Sequence, residues 1–371
     1  MRGAWLVIVG TSGCGFTTPV GTGIDAGDVA DGMTDAPEVD APLADAFSFD
    51  VNPTLCYGGP GAFQLCLPAA PTAPLTLSGT IDTSVCANGI VVSPSVTAPD
   101  VCVIAGATVT VPGMVRVIGM RPLAVVASGT MTIAGTIDVS SVRGGQRGAG
   151  ANHPCAMASA PGTAGNGDGG GGSGGSFQTR GGLGGGGGGG GVGGSIPPAP
   201  ATSPFVRGGC RGRGGGGSGG GSGDSGGAVY LVAAGALDLS GTINASGAGG
   251  AGSTGPRGGG GGGGSGGMIA LYGAPLTVRP TASVFANGGG GGGGGGPNFI
   301  GGNGGQSSAS NVAGPAGTGD GTGGLGSLML GNGGGGSQGG KGGGGGGGGA
   351  GVIENLTGGA ISSGTFSPPA S

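Results

Sequence analysis

Four uninterrupted glycine runs, Gly184–Gly191, Gly258–Gly264, Gly288–Gly296 and Gly342–Gly349, limit what this chain can fold into more than any other feature. Glycine loses more backbone freedom on ordering than any other residue and brings no side chain to a core. Such runs are therefore either flexible linkers or built elements whose backbones bond one another. Their matched lengths of seven to nine residues, and their attachment to successive copies of one repeat, favour the built alternative. An extended threefold helix rises about 3.1 Å per residue, and chains without Cβ atoms can approach closely enough to exchange N–H···O=C bonds. Collagen is excluded because no strict G-X-Y period with proline is present.

The repeat is the second constraint. "VCVIAGATVTVPGMVRV" from Val101 and "LAVVASGTMTIAGTIDV" from Leu123 align without a gap at an offset of 22. "VYLVAAGALDLSGTINAS" from Val229 aligns on the second copy, "IALYGAPLTVRPTASVFAN" from Ile269 aligns with small adjustments, and "LTLSGTID" from Leu75 matches the end of a copy. Each copy holds three short stretches of alternating apolar residues, the pattern of half-buried strands. Three strands repeated every 22 residues lead us to expect an all-β chain built as a short β-solenoid. Its rungs would carry long Gly-rich insertions, with the glycine runs as tethers or as bundled polyglycine II helices. The expected organisation is an export signal over 1–13, an acidic tether over 14–54 and first rungs over 55–142. A Gly-rich insertion over 143–226 and further rungs alternating with polyglycine over 227–371 complete it.

The chain's address is read from its ends and its cysteines. Arg2, the apolar run "AWLVIVG" and "TSGC" ending at Cys14 form a short export signal that resembles a bacterial lipoprotein signal. That resemblance implies lipidation of Cys14, an outer-membrane lipid partner, and an outer-membrane or extracellular location. From Phe16 to about Thr54 there are eight acidic residues and no Lys or Arg, so this stretch is expected to be a self-repelling spacer. The formal charge of −4 belongs to that stretch, because the remainder carries eight acidic and eleven basic residues once Arg2 is set aside. Of seven cysteines, removing Cys14 leaves Cys56, Cys66, Cys86, Cys102, Cys155 and Cys210, an even set suited to an oxidising compartment. Six cysteines allow 15 connectivities. Sequence proximity favours Cys56 with Cys66, Cys86 with Cys102, and Cys155 with Cys210.

Chemistry-bearing residues are scarce: one His (His153), one Lys (Lys341), and charged residues at 8% against roughly 25% in ordinary domains. No enzyme activity, cofactor or metal site is expected. "GDSGG" at Gly223–Gly227 imitates a serine-protease motif, and His153, Asp168 and Ser225 fall in the matching order, yet a triad is a matter of geometry. "GGSGG" recurs at Ser173, Ser218 and Ser265, too often to specify a nucleophile. "GGSQGGKG" has Gly342 where a phosphate loop needs Ser or Thr. The Asp residues Asp168, Asp224 and Asp320 miss the calcium-repeat spacing. "VRGGCRGRGG" concentrates Arg207, Arg211 and Arg213 as a candidate contact for anionic polysaccharide or matrix. Specific nucleic-acid binding is not expected, since aromatics are sparse among the Arg-Gly-Gly triplets. Tyr230 and Tyr272 are expected to point outward, where they could stack on a sugar.

Together the lipidation signal, the acidic spacer, "LAVVASGTMTIAGTIDVSSVRGG", "GGCRG", "SGGAVYLVAAGALDLSGTINASGAGG" and the "SPP" ending resemble Gly-rich surface lipoproteins of the myxobacterial type. The glycine runs are also similar in composition to mycobacterial PE-PGRS proteins and to polyglycine antifreeze proteins, without the PE domain of the first or the regular triplets of the second. The resemblance implies location and architecture. The expected function is a non-catalytic, structural or adhesive surface protein with possible self-association. A polysaccharide-binding or polysaccharide-cleaving β-helix is the alternative, and ice binding the third reading.

Overall fold

The alternating stretches of each repeat pair with their counterparts in neighbouring copies, so that each copy adds one strand to each of three sheets. In the computed structural model the described residues are 55–59, 63–95, 98–155, 161–195, 203–307 and 309–371, all within the unit Val51–Ser371. Cys14, the signal segment and the whole of the acidic stretch lie outside them. One sheet has five parallel strands, in the order Leu276–Val278, Leu237–Leu239, Met131–Ile133, Val109–Val111 and Leu75–Thr76. The second has six parallel strands: Thr365–Ser367, Ser283–Phe285, Thr242–Asn244, Thr136–Asp138, Met114–Ile118 and Gly79–Asp82. The third is mixed: Val352–Asn355, Met268–Gly273, Ala228–Ala233, Leu123–Ala127 and Val101–Gly106 run parallel, and Ile90–Val92 closes its edge antiparallel. Two further sheets are two-stranded and antiparallel, Leu55–Tyr57 with Leu65–Leu67 and Ala164–Gly165 with Asp168–Gly169.

The inner faces of the three large sheets share one core, with Ile104, Val125, Leu231 and Leu271 from the mixed sheet. The five-stranded sheet contributes Val111, Ile133 and Leu239, and the second sheet Val115, Ile137 and Ile243. The 22-residue offset holds in the first two sheets, where Val109 pairs with Met131 and Val115 with Ile137. It fails in the third, where Cys102 rather than Val101 faces Leu123. A one-residue slip sends every side chain to the opposite face. Cys102 and Ile104 therefore enter the core, while Val101 and Val103 join a second apolar layer outside the mixed sheet. Leu65, Leu67, Phe177 and Val206 cover that layer.

The expected β-solenoid with bundled polyglycine II helices is corrected by this arrangement. The described residues form five separate sheets of mixed direction, with no closed solenoid and no helix. The physical reason lies at one corner. After Asp138, Asn244 and Phe285, the last strand residues of successive copies, the chain does not turn into the next strand of the mixed sheet. It leaves on long excursions and re-enters only at Ala228, Met268 and Val352. The repeat specifies in-register pairing, but the glycine excursions stand where a coil would have to close.

Those excursions are not loose. The stretch from Gly258 to Gly267 is hydrogen-bonded to six neighbouring segments in a three-residue rhythm, with each of these inter-segment bonds between 2.7 and 3.1 Å; only Gly258 N–H turns back locally, to Gly255 O at 3.4 Å. The N–H groups of Gly259, Gly262 and Ser265 donate to Gly216, Arg213 and Cys210; those of Gly260, Gly263 and Gly266 to Gly343, Gly346 and Gly349; those of Gly261, Gly264 and Gly267 to Ala251, Ala248 and Ala245. Its carbonyls accept in turn from Gly289, Gly292 and Gly295, from Gly220, Gly223 and Gly226, and from Gly172 and Gly175. The runs at 288–296 and 342–349 are bonded in the same way. The run at 184–191 differs, since it doubles back at the edge with Gly187 N–H donating to Gly191 O and Gly190 at φ 91°.

Such close approach admits only hydrogen at Cα. A Cβ on Gly262 would overlap the carbonyl oxygen of Ser173, and one on Gly345 that of Gly261. A Cβ on Gly335, on the outer surface, meets nothing nearer than Leu183 O at 3.9 Å. We expect Gly262→Ala to cost about 3 kcal/mol by overpacking, and Gly335→Ala to leave stability unchanged. Thermal melts of the two variants check this, and equal melts would refute the lattice.

Candidate functional site

The motif residues are held by local structure and do not converge. Ser225 is fully buried; its Oγ donates to Gly209 O at 2.8 Å and accepts from Asn152 N at 2.8 Å. His153 Nδ1 lies 2.9 Å from Pro154 O and its ring packs against Phe205, while Asp168 is bonded elsewhere. Its carboxylate accepts from Arg257 Nε at 2.5 Å and lies 3.9 Å from Lys341 Nζ. The Arg257 guanidinium, as hydrogen-bond donor, holds the Asp168 carboxyl below its ordinary range. The three residues in protease order are thus structural fixtures of the glycine layer. Among the described residues no cluster of His, Cys, Asp and Glu is arranged to hold a metal.

The basic segment is divided in the same way. Arg207 is buried, its guanidinium 4.5 Å over the Phe177 ring and its Nε donating to Ser203 Oγ at 3.2 Å. Burial lowers its pKa, and it faces no solvent that a polyanion could occupy. Arg211 is half exposed but paired with Asp224 at 3.2 Å, where Arg147 also sits at 3.4 Å. Arg213 Nε is buried without a hydrogen-bond partner. The three arginines therefore form no shared outward patch. Asn152, which no motif flagged, clamps this region: its Nδ2 donates to Asp224 Oδ1 at 2.7 Å and its Oδ1 accepts from Ser225 N at 2.9 Å.

Tyr230 does point away from the inner core, as alternation requires, but it is fully buried. The disulfide-linked pair of strands Leu55–Tyr57 and Leu65–Leu67 lies over it: Gly59 N–H donates to Tyr230 Oη at 3.2 Å, and the Phe63 ring meets it edge-on at 5.8 Å. The expected sugar platform is therefore closed. Tyr230 titrates above its ordinary value because burial penalises the phenolate. Glu354, at the edge of the same layer, is pushed up to about 7 by burial.

Three disulfides are formed, Cys56–Cys66, Cys86–Cys102 and Cys155–Cys210, which fits an oxidising, exported setting. Among the described residues no helix is long and apolar enough to cross a membrane. Comparison with protein-family models, curated proteins and solved structures gives no match. The likeness to myxobacterial-type surface lipoproteins rests on the quoted residues alone.

Two outcomes follow from this geometry. Glu354 has a folded pKa above the roughly 4.3 of an exposed Glu, so the folded state binds the extra proton and loses stability as pH rises from about 4.3 through about 7. Glu354→Gln should raise the melting temperature at pH 8 and leave it nearly unchanged at pH 4; the reverse pattern would show the carboxylate to be stabilised. Replacing both Cys155 and Cys210 by Ala opens a loop with a sequence separation of 55. On the chain-entropy relation that costs about 4 kcal/mol, measurable by denaturant titration.

Proposed function

We propose that this chain is a non-catalytic, exported surface protein with a structural or adhesive role, held to the outer membrane by lipid on Cys14. The observation that carries the reading is the glycine layer, in which the Gly258–Gly267 segment bonds six neighbours at distances that leave no room for a Cβ at most of its glycines. A layer so satisfied internally is a stiff, protease-resistant body suited to presenting faces rather than to closing round a substrate. The clamps at its rim have the same character. Arg143 Nη1 donates to the carbonyls of Gly304 and Gly250, and Arg257 bridges Asp168 and Asn166 O. Their charges are spent on fixing chain segments.

The test is made on cells. Wild-type chain should fractionate with outer membranes, be accessible to antibody on intact cells and increase cell cohesion. Cys14→Ser should release it to the medium and abolish cohesion. Equal cohesion with and without the chain would remove the adhesive reading.

A further inference from the structure

The outward face of the five-stranded sheet carries a row of hydroxyls that the core does not need. In-register pairing sets Thr76, Thr110, Thr132, Asp238 and Thr277 side by side across all five strands. Adjacent members are spaced by the interstrand distance of about 4.8 Å. Thr76, Thr110 and Thr132 are exposed and Thr277 is half-buried. The hydroxyls of Thr76 and Thr110 stand 3.1 Å apart. Arg279, from the edge strand's end, forks onto Asp238 with bonds of 3.0 and 2.7 Å. That pair remains open to solvent, with side-chain exposures of 55% for Arg279 and 35% for Asp238. The Arg279 guanidinium holds the Asp238 carboxyl below its ordinary range, so the pair stays ionised and cancels its own charge.

We propose that this row is a binding track for a linear, uncharged, hydroxyl-rich polysaccharide lying across the strands. The reading rests on the chain's being an exported adhesive protein and names the matrix component it holds. Charge selects the class: the ions on the track, Asp238 and Arg279, neutralise each other, so it offers a polyanion no net attraction. Functional-group complementarity points the same way. Threonine hydroxyls donate and accept, as sugar hydroxyls do, and the Asp238–Arg279 fork adds charge-assisted acceptor and donor sites. Repetition supplies avidity. A polymer with recurring hydroxyls can engage several rungs at once, so weak single bonds add along its length. The parallel sheet holds the row rigid, because each threonine is flanked by residues whose side chains enter the core: Val109 and Val111 flank Thr110, and Met131 and Ile133 flank Thr132.

The full disulfide-bonded chain is run in native gels containing hydroxyethylcellulose, a neutral glucan, alginate, a polyanion, or neither. We expect retardation in the neutral glucan only. The double variant T110V and T132V keeps the β-branched shape and should weaken retardation about tenfold, the equivalent of two hydrogen bonds, with an unchanged melting temperature. Thr110→Tyr, a bulky residue on an exposed position, provides a second block that does not test the fold. Wild-type mobility unaffected by hydroxyethylcellulose, or retardation that survives both variants, overturns the proposal. So does retardation confined to alginate. Thermal hysteresis that is lost in the double variant, without any glucan retardation, would assign the track to ordered water instead and overturns it equally. Cell cohesion by the wild-type chain is measured separately, so failure of the track and failure of the adhesive role are told apart.

Discussion

Hydrogen bonding between backbones that carry no side chain is the interaction on which the rest of the structure depends. A buried amide left unpaired costs free energy, and most proteins meet the requirement within helices or sheets. Here the segments around Gly258–Gly267 meet it sideways, each giving and receiving at every third residue. At most of these positions a Cβ would overlap a neighbouring carbonyl, and only a few small side chains such as those of Ser173, Ala248 and Ser265 are buried among the glycines, which fits a chain in which 112 residues are glycine. The entropy lost in ordering so much glycine is set against bonds that are nearly all satisfied, together with covalent closure by Cys155–Cys210 and charge clamps such as Arg257 on Asp168.

The glycine layer and the sheets are one construction. Ala245 N–H donates to Phe285 O and Gly267 N–H to Ala245 O, so the ladder of the second sheet runs directly into the first bonds of the glycine layer. Gly227 N–H donates to Val139 O and Val352 N–H to Gly267 O at the return points. The sheets thereby fix the starting register of each excursion, and the excursions fill the corner at which the sheets would otherwise meet. The outward face of the mixed sheet is covered by a second apolar layer, whereas that of the five-stranded sheet exposes Thr76, Thr110 and Thr132, the row proposed above for recognition.

Much of this was legible in the sequence, and the exceptions have physical causes. The three strands per copy and their parallel register followed from alternation and the 22-residue offset, because pairing in register buries like residues together. The slip at Cys102 was hidden, since Val101-Cys102-Val103-Ile104 is apolar on both faces and alternation cannot choose between them. Closure failed because the repeat describes pairing between copies and says nothing of the path between them. Tyr230 was placed on the correct side of its strand, but the cover from Gly59 and Phe63 comes from about 170 residues earlier in the chain. Arg207 looked like part of a basic patch because local sequence shows charge and not the Phe177 ring beneath it. The row of threonines was present in "ATVTV" and "GTMTI" at outward positions, and became a row only once the register was known.

Amide hydrogen exchange resolved within the glycine runs tests lateral bonding most directly. Amides at 259–267, 289–295 and 343–349 are expected to be protected to the same degree as those of the central strand Leu123–Ala127, because both report opening of one body. Exchange of the glycine amides at the rate of an unstructured chain, with the strand amides protected, would contradict it and return the runs to the status of linkers.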